Sequence, residues 1–214
     1  MKWGILGGTF DPIHVGHLRC AEEVRELFAL DRILFIPNSQ PPHKDYPEVT
    51  PFAQRAQMVR LAIAGNPYFS LSDLEHQRAG MSYSVETVEQ LLESHPEAEL
   101  YFIMGQDAFQ TIQTWKDWER FIRACHVVVM TRAGWTNEGL GEILPPDEAV
   151  RFCYNSALNG YLGPTGKAIF FRQVSFLEVS SSDIRNRLKA GRSGRYLVPD
   201  AVLDYLAEAG CYRQ

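Results

Sequence analysis

The sequence predicts an α/β fold on a doubly wound parallel sheet with a small C-terminal helical part, and three observations carry this prediction. Short apolar runs recur at 3–6, 32–37, 99–104 and 126–132. The run at 126–132 is continuously apolar through Val127, Val128, Val129 and Met130, as in a parallel sheet covered on both faces. The first two runs flank a helical pattern, and a strand–helix–strand connection of this kind is parallel and right-handed. A glycine-rich turn delivers the first strand to that helix.

The first element is the stretch 3–18, WGILGGTFDPIHVGHL. It opens as a buried strand, bends at Gly7 and Gly8, and turns around Asp11 and Pro12. Leu18, Ala21, Glu22, Val24, Arg25, Leu27 and Phe28 then follow at helical spacing, with apolar positions three and four apart. A strand entering a helix through glycines is a place for phosphate, because free backbone N–H groups and the positive end of the helix dipole point outward together. His14 and His17 have two residues between them and face one site at this helix entrance. The glycines do not follow the dinucleotide G-x-G-x-x-G or the Walker pattern. No further Cys/His cluster lies nearby to complete a zinc site.

The run G-G-T-F-D-P-x-H-x-G-H resembles the adenylyltransferase branch of the HxGH nucleotidyltransferase superfamily. The resemblance implies a Rossmann-like sheet and ATP as adenylyl donor. It places Gly8, Thr9, Phe10, His14 and His17 around the ATP phosphates.

Composition sets limits. The chain has 214 residues, enough for one domain over 1–214 with a C-terminal helical portion from about 180 to 214. A net charge of −5 lacks the basic excess of a nucleic-acid surface, so an anionic substrate needs a local positive cluster. Cys20, Cys125, Cys153 and Cys211 form no C-x-x-C pair, and neither a secretory signal nor a membrane-length apolar run is visible. These features point to a protein of the reducing cytoplasm with free thiols and without nucleic-acid or membrane partners.

The remaining elements follow in order. Residues 32–37 form the second strand. The Pro-rich segment 38–47 is a loop, and its P-P-H-K run resembles a family segment near the substrate phosphates, which implies roles for His43 and Lys44. Thr50 and Pro51 read as N-cap and first position of a helix that ends at 65–67. Residues 68–72 read as a strand, 75–84 as a polar connection and 83–92 as a helix.

The piece 75–87, EHQRAGMSYSVET, resembles the E-x-x-R-x-G-x-S-Y-T-x-x-T segment of bacterial nicotinate-mononucleotide adenylyltransferases. That resemblance sets the nicotinate carboxylate against the backbone of Ser82, Tyr83 and Ser84, Ser84 standing where the family has Thr. A helix start is a suitable partner for a carboxylate. Ser82 also reads as a plain N-cap.

The strand 99–105 ends in Gly105-Gln106-Asp107, beyond which ligands of parallel sheets bind. The resemblance assigns Gly105 and Asp107 to the adenosine side, whereas Asp107 alone reads as a helix cap. Trp115 and Trp118 follow. The family stacks a Trp on the nicotinate ring, which falls on Trp115 and leaves Trp118 to the core. Arg132 closes the next strand, where a ligand or a neighbouring subunit is within reach. Residues 133–166 show only fragments and suit an excursion or a homo-oligomer contact. A late strand at 168–172 precedes V-S-S-S-D-I-R at 179–185, a hydroxyl-capped helix start with Arg185 one turn in. This resembles the I-S-S-T-x-I-R segment that accompanies HxGH, which brings Ser181, Ser182 and Arg185 to ATP. An amphipathic helix over 199–209 ends the chain.

The resemblance implies adenylyl transfer from ATP to nicotinate mononucleotide. The attacking phosphate is already an anion, so no general base is required. His14, His17, Lys44 and Arg185 are the candidate donors, and Mg²⁺ is carried by the ATP phosphates with no protein metal ligands. Nicotinamide mononucleotide, phosphopantetheine and a non-catalytic nucleotide-binding role are the competing readings. An aminoacyl-tRNA synthetase is disfavoured because the chain is short and has no K-M-S-K-S-type lysine loop.

Overall fold

The computed structural model describes residues 1–40, 49–78, 80–132, 134 and 139–212. The segment carrying His43 and Lys44 lies outside these. Strand β1 (Lys2–Gly8) leads into α1 (Val15–Phe28), then β2 (Arg32–Pro37), α2 (Phe52–Ile63), β3 (Phe69–Leu71), α3 (Leu74–Gln77) and α4 (Ser84–Ser94). Next come β4 (Glu99–Gly105), α5 (Gln106–Gln110), α6 (Trp118–Ala124), β5 (His126–Thr131) and α7 (Pro146–Ala149). The order closes with β6 (Cys153–Asn155), β7 (Gly160–Leu162), β8 (Ala168–Gln173), α8 (Ser181–Lys189) and α9 (Asp200–Glu208).

Among the described residues the strands form one sheet in the order β3-β2-β1-β4-β5-β8-β7-β6. The chain runs outward from β1 to β3 and returns to place β4 on the other side of β1. The carboxyl ends of β1 and β4 therefore flank the topological switch point, where open α/β sheets bind ligands. This is the predicted α/β, Rossmann-like, doubly wound architecture.

Residue parity within the strands produces the two faces. Leu6, Ile33, Phe35, Tyr101, Ile103 and Val128 join α1, α2, α8 and α9 in one apolar core. Ile5, Leu34, Ile36, Leu100, Phe102, Val127 and Val129 join α4, α5 and α6 in the other. Successive side chains of a strand point to opposite faces, so strands buried on both sides are apolar without alternation.

Three local expectations need correction. The sheet is parallel through six strands, but β7 runs antiparallel to β8 and β6 antiparallel to β7. This hairpin occupies part of the stretch that the sequence left without regular elements. Secondly, Pro51, not Thr50, precedes the first turn of α2 as its N-cap. Thr50 is spent elsewhere: its N–H donates to Asp11 Oδ2 at 3.3 Å and its hydroxyl to Tyr212 Oη at 3.4 Å. Thirdly, the polar connection before α4 contains the short helix α3, which buries Glu75. No described helix is long and apolar enough to cross a membrane.

The β6–β7 hairpin seats its turn against an aromatic ring. A Cβ on Gly160 would lie 2.5 Å from Phe170 Cδ1 and 3.2 Å from the Ile169 carbonyl oxygen. Phe170 is buried against Phe28 and has little room to retreat. Gly160→Ala is expected to cost about 1–3 kcal/mol by overpacking. Gly141→Ala, whose Cβ would meet nothing within 4 Å, is the control expected to stay near wild type. Urea unfolding of both variants decides the point; equal midpoints for the two would contradict it.

Candidate active site

The site begins where β1 stops. His14 is the N-cap of α1, with extended backbone, and its N–H donates to His17 Nδ1 at 3.2 Å. The two imidazoles stack, with centroids 3.7 Å apart and planes 24° apart. Phe10 presses edge-on against His17 at 5.1 Å. Phe10 is itself buried, so its ring backs the His17 imidazole from the core side. Loss of hydration lowers the His14 pKa to about 4. The same cause, helped by the neighbouring His14 charge, lowers His17 to about 3.

Both rings are therefore neutral at pH 7. Because His17 Nδ1 accepts a backbone N–H, its own proton resides on Nε2, which makes Nε2 a fixed donor. His14 Nδ1 is buried without a hydrogen-bond partner among the described residues.

The second helix opening meets the first. Ser180 caps α8 by accepting from the Asp183 N–H at 3.1 Å. Ser181 Oγ donates to the Pro12 carbonyl at 2.9 Å. Arg185 Nη1 donates to the Asp11 carbonyl at 2.7 Å and Nη2 to Ser182 Oγ at 3.3 Å. The helix starts thus converge, and a cavity of about 300 Å³ is lined by His14, Gly16, His17, Ser180 and Ser181 together with Leu177 and Val179. Arg185 stands behind this cavity with its guanidinium committed to the loop, a different posture from the outward phosphate fork read from sequence.

Two supporting residues, Arg55 and Tyr212, escaped sequence reasoning. Arg55 is 1% exposed, and its guanidinium donates to three main-chain carbonyls: Thr50 at 2.7 Å, Thr9 at 2.7 Å and Asn38 at 2.8 Å. It ties the glycine-rich turn to the end of β2. Tyr212 donates its hydroxyl to the buried Asp11 carboxylate. Burial first, and the Asp11 charge second, raise the Tyr212 pKa. Partners of this type leave no local spacing pattern, so only the Asp11 end lay in a recognisable motif.

A second cavity of about 420 Å³ opens on the other side of His17. Its lining includes Ser82, Tyr83 and Ser84 at the start of α4, Gly105 at the end of β4, and Trp115. Trp115 also packs against Phe102 and Phe121, with centroids at 6.2 and 5.7 Å, so its ring is held by the core while one surface meets the cavity. Trp118 packs at the edge of the same core.

Ser82 is not the helix cap. Tyr83 holds that position, and Ser82 Oγ accepts from the backbone N–H groups of Ser39 at 3.0 Å and Gln40 at 3.2 Å. Its hydroxyl ties down the segment leading toward His43 and Lys44. Nor does Asp107 cap α5, whose N-cap is Gly105; Asp107 is exposed, outside both cavities, and 3.9 Å from Arg132. Arg132 lies over the Phe176 ring at 4.1 Å. Gly8 and Thr9 enter as backbone: the Gly8 carbonyl accepts from Asn38 N–H at 2.9 Å, and the Thr9 carbonyl accepts from Arg55. Among the described residues no group of three His, Cys, Asp or Glu is placed to hold a metal ion.

Parallel sheet, switch-point cavities and two facing helix starts define a nucleotide-handling α/β protein. A family model described as cytidylyltransferase-like matches residues 5–187, and the chain belongs to that family. Within it, the nearly full-length relatives place the chain with the nicotinate-nucleotide adenylyltransferases. It is 47% identical to a probable nicotinate-nucleotide adenylyltransferase of Geobacter sp. (strain M21), covering 99% of this chain and 98% of the other. A protein of the same name from Syntrophotalea carbinolica is 46% identical, with 100% and 98% covered. The fold matches that of Plasmodium falciparum nicotinic acid mononucleotide adenylyltransferase complexed with NaAD, at TM-score 0.75, 20% identity, and 99% and 97% coverage.

The neutral histidines set a pH dependence. Their folded pKa values lie below the usual 6.5, so the unfolded chain binds more protons on acidification. Their contribution is complete above pH 6.5 and declines as pH falls toward 4. Each proton taken up on unfolding steepens the loss by roughly 1.4 kcal/mol per pH unit. Between pH 6.5 and 5, the unfolding free energy of a His14→Asn, His17→Asn double variant is expected to fall less steeply than that of wild type. Parallel slopes would show that the histidines do not titrate this way.

Proposed function

We propose that the chain transfers the adenylyl group of ATP to nicotinate mononucleotide, releasing pyrophosphate and forming nicotinate adenine dinucleotide, a step of NAD biosynthesis. The observation that carries this reading is the position of His17, on the wall shared by the two cavities. One cavity is bounded by the starts of α1 and α8 and suits a triphosphate; the other is bounded by Trp115 and the start of α4 and suits a pyridine mononucleotide.

A mononucleotide oxygen attacks the α-phosphorus of ATP in line, and the bond to the bridging oxygen of pyrophosphate breaks. The nucleophile is an anion near pH 7 and gives up no proton, so the protein's task is placement and charge stabilisation. His17 Nε2–H donates to the phosphate oxygens as negative charge moves to the leaving group. His14 orders His17 through its backbone N–H and stacked ring. Lys44 adds a positive charge for the substrate phosphates, and His43 binds the mononucleotide. Arg185, in the second turn of α8, contributes positive charge near the triphosphate and holds the turn in place through the Asp11 carbonyl.

Ser181 lines the ATP side, backed by Gly8, Thr9, Phe10 and Ser182, and Ser82, Tyr83, Ser84 and Trp115 line the nicotinate side; Gly105 borders the latter cavity, and Asp107, outside both, is left to the adenosine beyond the strand ends. Among the described residues lining the triphosphate cavity the polar side chains are His14, His17, Ser180 and Ser181, set among apolar ones such as Leu177 and Val179, and none is a carboxylate. That donor set fits Mg²⁺ carried on ATP by phosphate and water, where it offsets phosphate charge.

Purified protein with Mg²⁺, ATP and nicotinate mononucleotide is expected to release pyrophosphate in equal amount to dinucleotide. Absence of both products would overturn the reading in favour of a nucleotide-binding regulator. His17→Ala is expected to lower kcat by about 10²–10³-fold, the usual loss of one transition-state donor, with a much smaller change in KM for the mononucleotide. Near-normal kcat would remove His17 from that role. Trp115→Ala is expected to raise KM for nicotinate mononucleotide selectively over that for ATP. A fall in thermal stability with both KM values kept would make Trp115 purely structural.

A further inference from the structure

The larger cavity has an uneven distribution of charge. Among the described residues that line it, Lys116 is the sole lysine or arginine and Glu75 the sole carboxylate. Glu75 is 4% exposed, and its oxygens are engaged: Oε2 accepts from Asn38 Nδ2 at 3.1 Å, and Oε1 accepts from Thr87 Oγ1 at 2.8 Å. Lys116 sits at the opening, beside Trp115. Its Nζ donates to Glu86 Oε1 at 2.7 Å and lies 4.5 Å from the centroid of the Tyr83 ring. Tyr83 is the N-cap of α4, so the ammonium stands beside the N-terminus of that helix.

Glu86 is shared, its other oxygen being 3.3 Å from Arg78 Nε. One half-buried carboxylate thus serves two cations. An ammonium has three donors, and one is directed at Glu86. A carboxylate on the pyridine ring, placed at the start of α4, would take another and extend the alternation of charges. A carboxamide at the same place is neutral and turns one N–H donor toward an N–H donor.

We infer that Lys116 is a specificity-determining residue that favours a pyridine mononucleotide with an anionic ring substituent over its neutral amide. This rests on the adenylyltransferase reading above and deepens it. Helix-start amides hydrogen-bond to either substituent and discriminate weakly, whereas the ammonium responds to the charge itself. Lys116 is half exposed, which limits the effect: a solvent-screened pair of this kind is worth about fivefold in the ratio of the two substrates.

The test measures kcat/KM for the acid and the amide mononucleotide side by side at low and at high salt. In Lys116→Met the acid-to-amide ratio is expected to fall about fivefold at low salt, and Lys116→Arg is expected to restore most of it. The wild-type ratio is expected to decrease with added salt, and that of Lys116→Met to be insensitive to it. A Lys116→Met variant that keeps the wild-type ratio, or loses both activities in proportion, overturns the inference while the adenylyltransferase reading stands. No turnover of either substrate by the wild-type protein overturns both.

Discussion

Asp11 is the constraint on which the site depends. Its carbonyl accepts from Arg185, and its buried carboxylate accepts from the Tyr212 hydroxyl and the Thr50 N–H. The next carbonyl, of Pro12, accepts from Ser181. Three chain segments distant in sequence, the start of α8, the C-terminal Tyr212 and Thr50 before α2, therefore meet on two adjacent residues of one turn. That turn ends where His14 opens α1, so whatever fixes Asp11 also fixes the direction of the first helix. The turn is short and buried through Phe10, Asp11 and Ile13, and without these partners its main-chain groups would be unsatisfied. Arg55 performs the same service one step earlier, on Thr9.

The way charge is handled follows from this burial. The chain is acidic overall, and the best-placed groups around the histidines are uncharged donors. A neutral imidazole whose tautomer is locked by a backbone N–H costs little to hold in an apolar wall, and it meets an incoming phosphate as a dipole. Of the permanent cations, Arg55 is spent on main-chain carbonyls beneath the turn, Arg185 on the Asp11 carbonyl, and Lys116 lines the larger cavity. Such an arrangement lets two anionic substrates enter without a strongly basic surface.

Much of the fold was legible because two-sided burial leaves a strong mark. Ile33 to Ile36 and Val127 to Val129 are apolar throughout, since each residue meets one core or the other. Residues 15–28 show helical spacing because one face of α1 packs on the sheet through Ala21 and Val24. The hairpin of β6 and β7 left no such mark: each strand is three residues long, and β6 is the edge of the sheet. Thr50 looked like a cap because Thr-Pro is a common helix opening, but its N–H and hydroxyl went to the Asp11–Tyr212 pair. Ser82 likewise carried capping chemistry and used it on Ser39 and Gln40. At the site, the histidines, Trp115 and the serines of α8 stood in recognisable runs. Arg55 and Tyr212 did not, because their partners are main-chain carbonyls and a carboxylate remote in sequence.

The account requires one triphosphate to lie between the starts of α1 and α8. The most direct measurement is a diffraction structure of the protein with Mg²⁺ and a non-hydrolysable ATP analogue. The account predicts phosphate oxygens within about 3.2 Å of His17 Nε2 and of the backbone N–H groups that open α8. A triphosphate bound elsewhere, with His17 facing only solvent or apolar side chains, would contradict it.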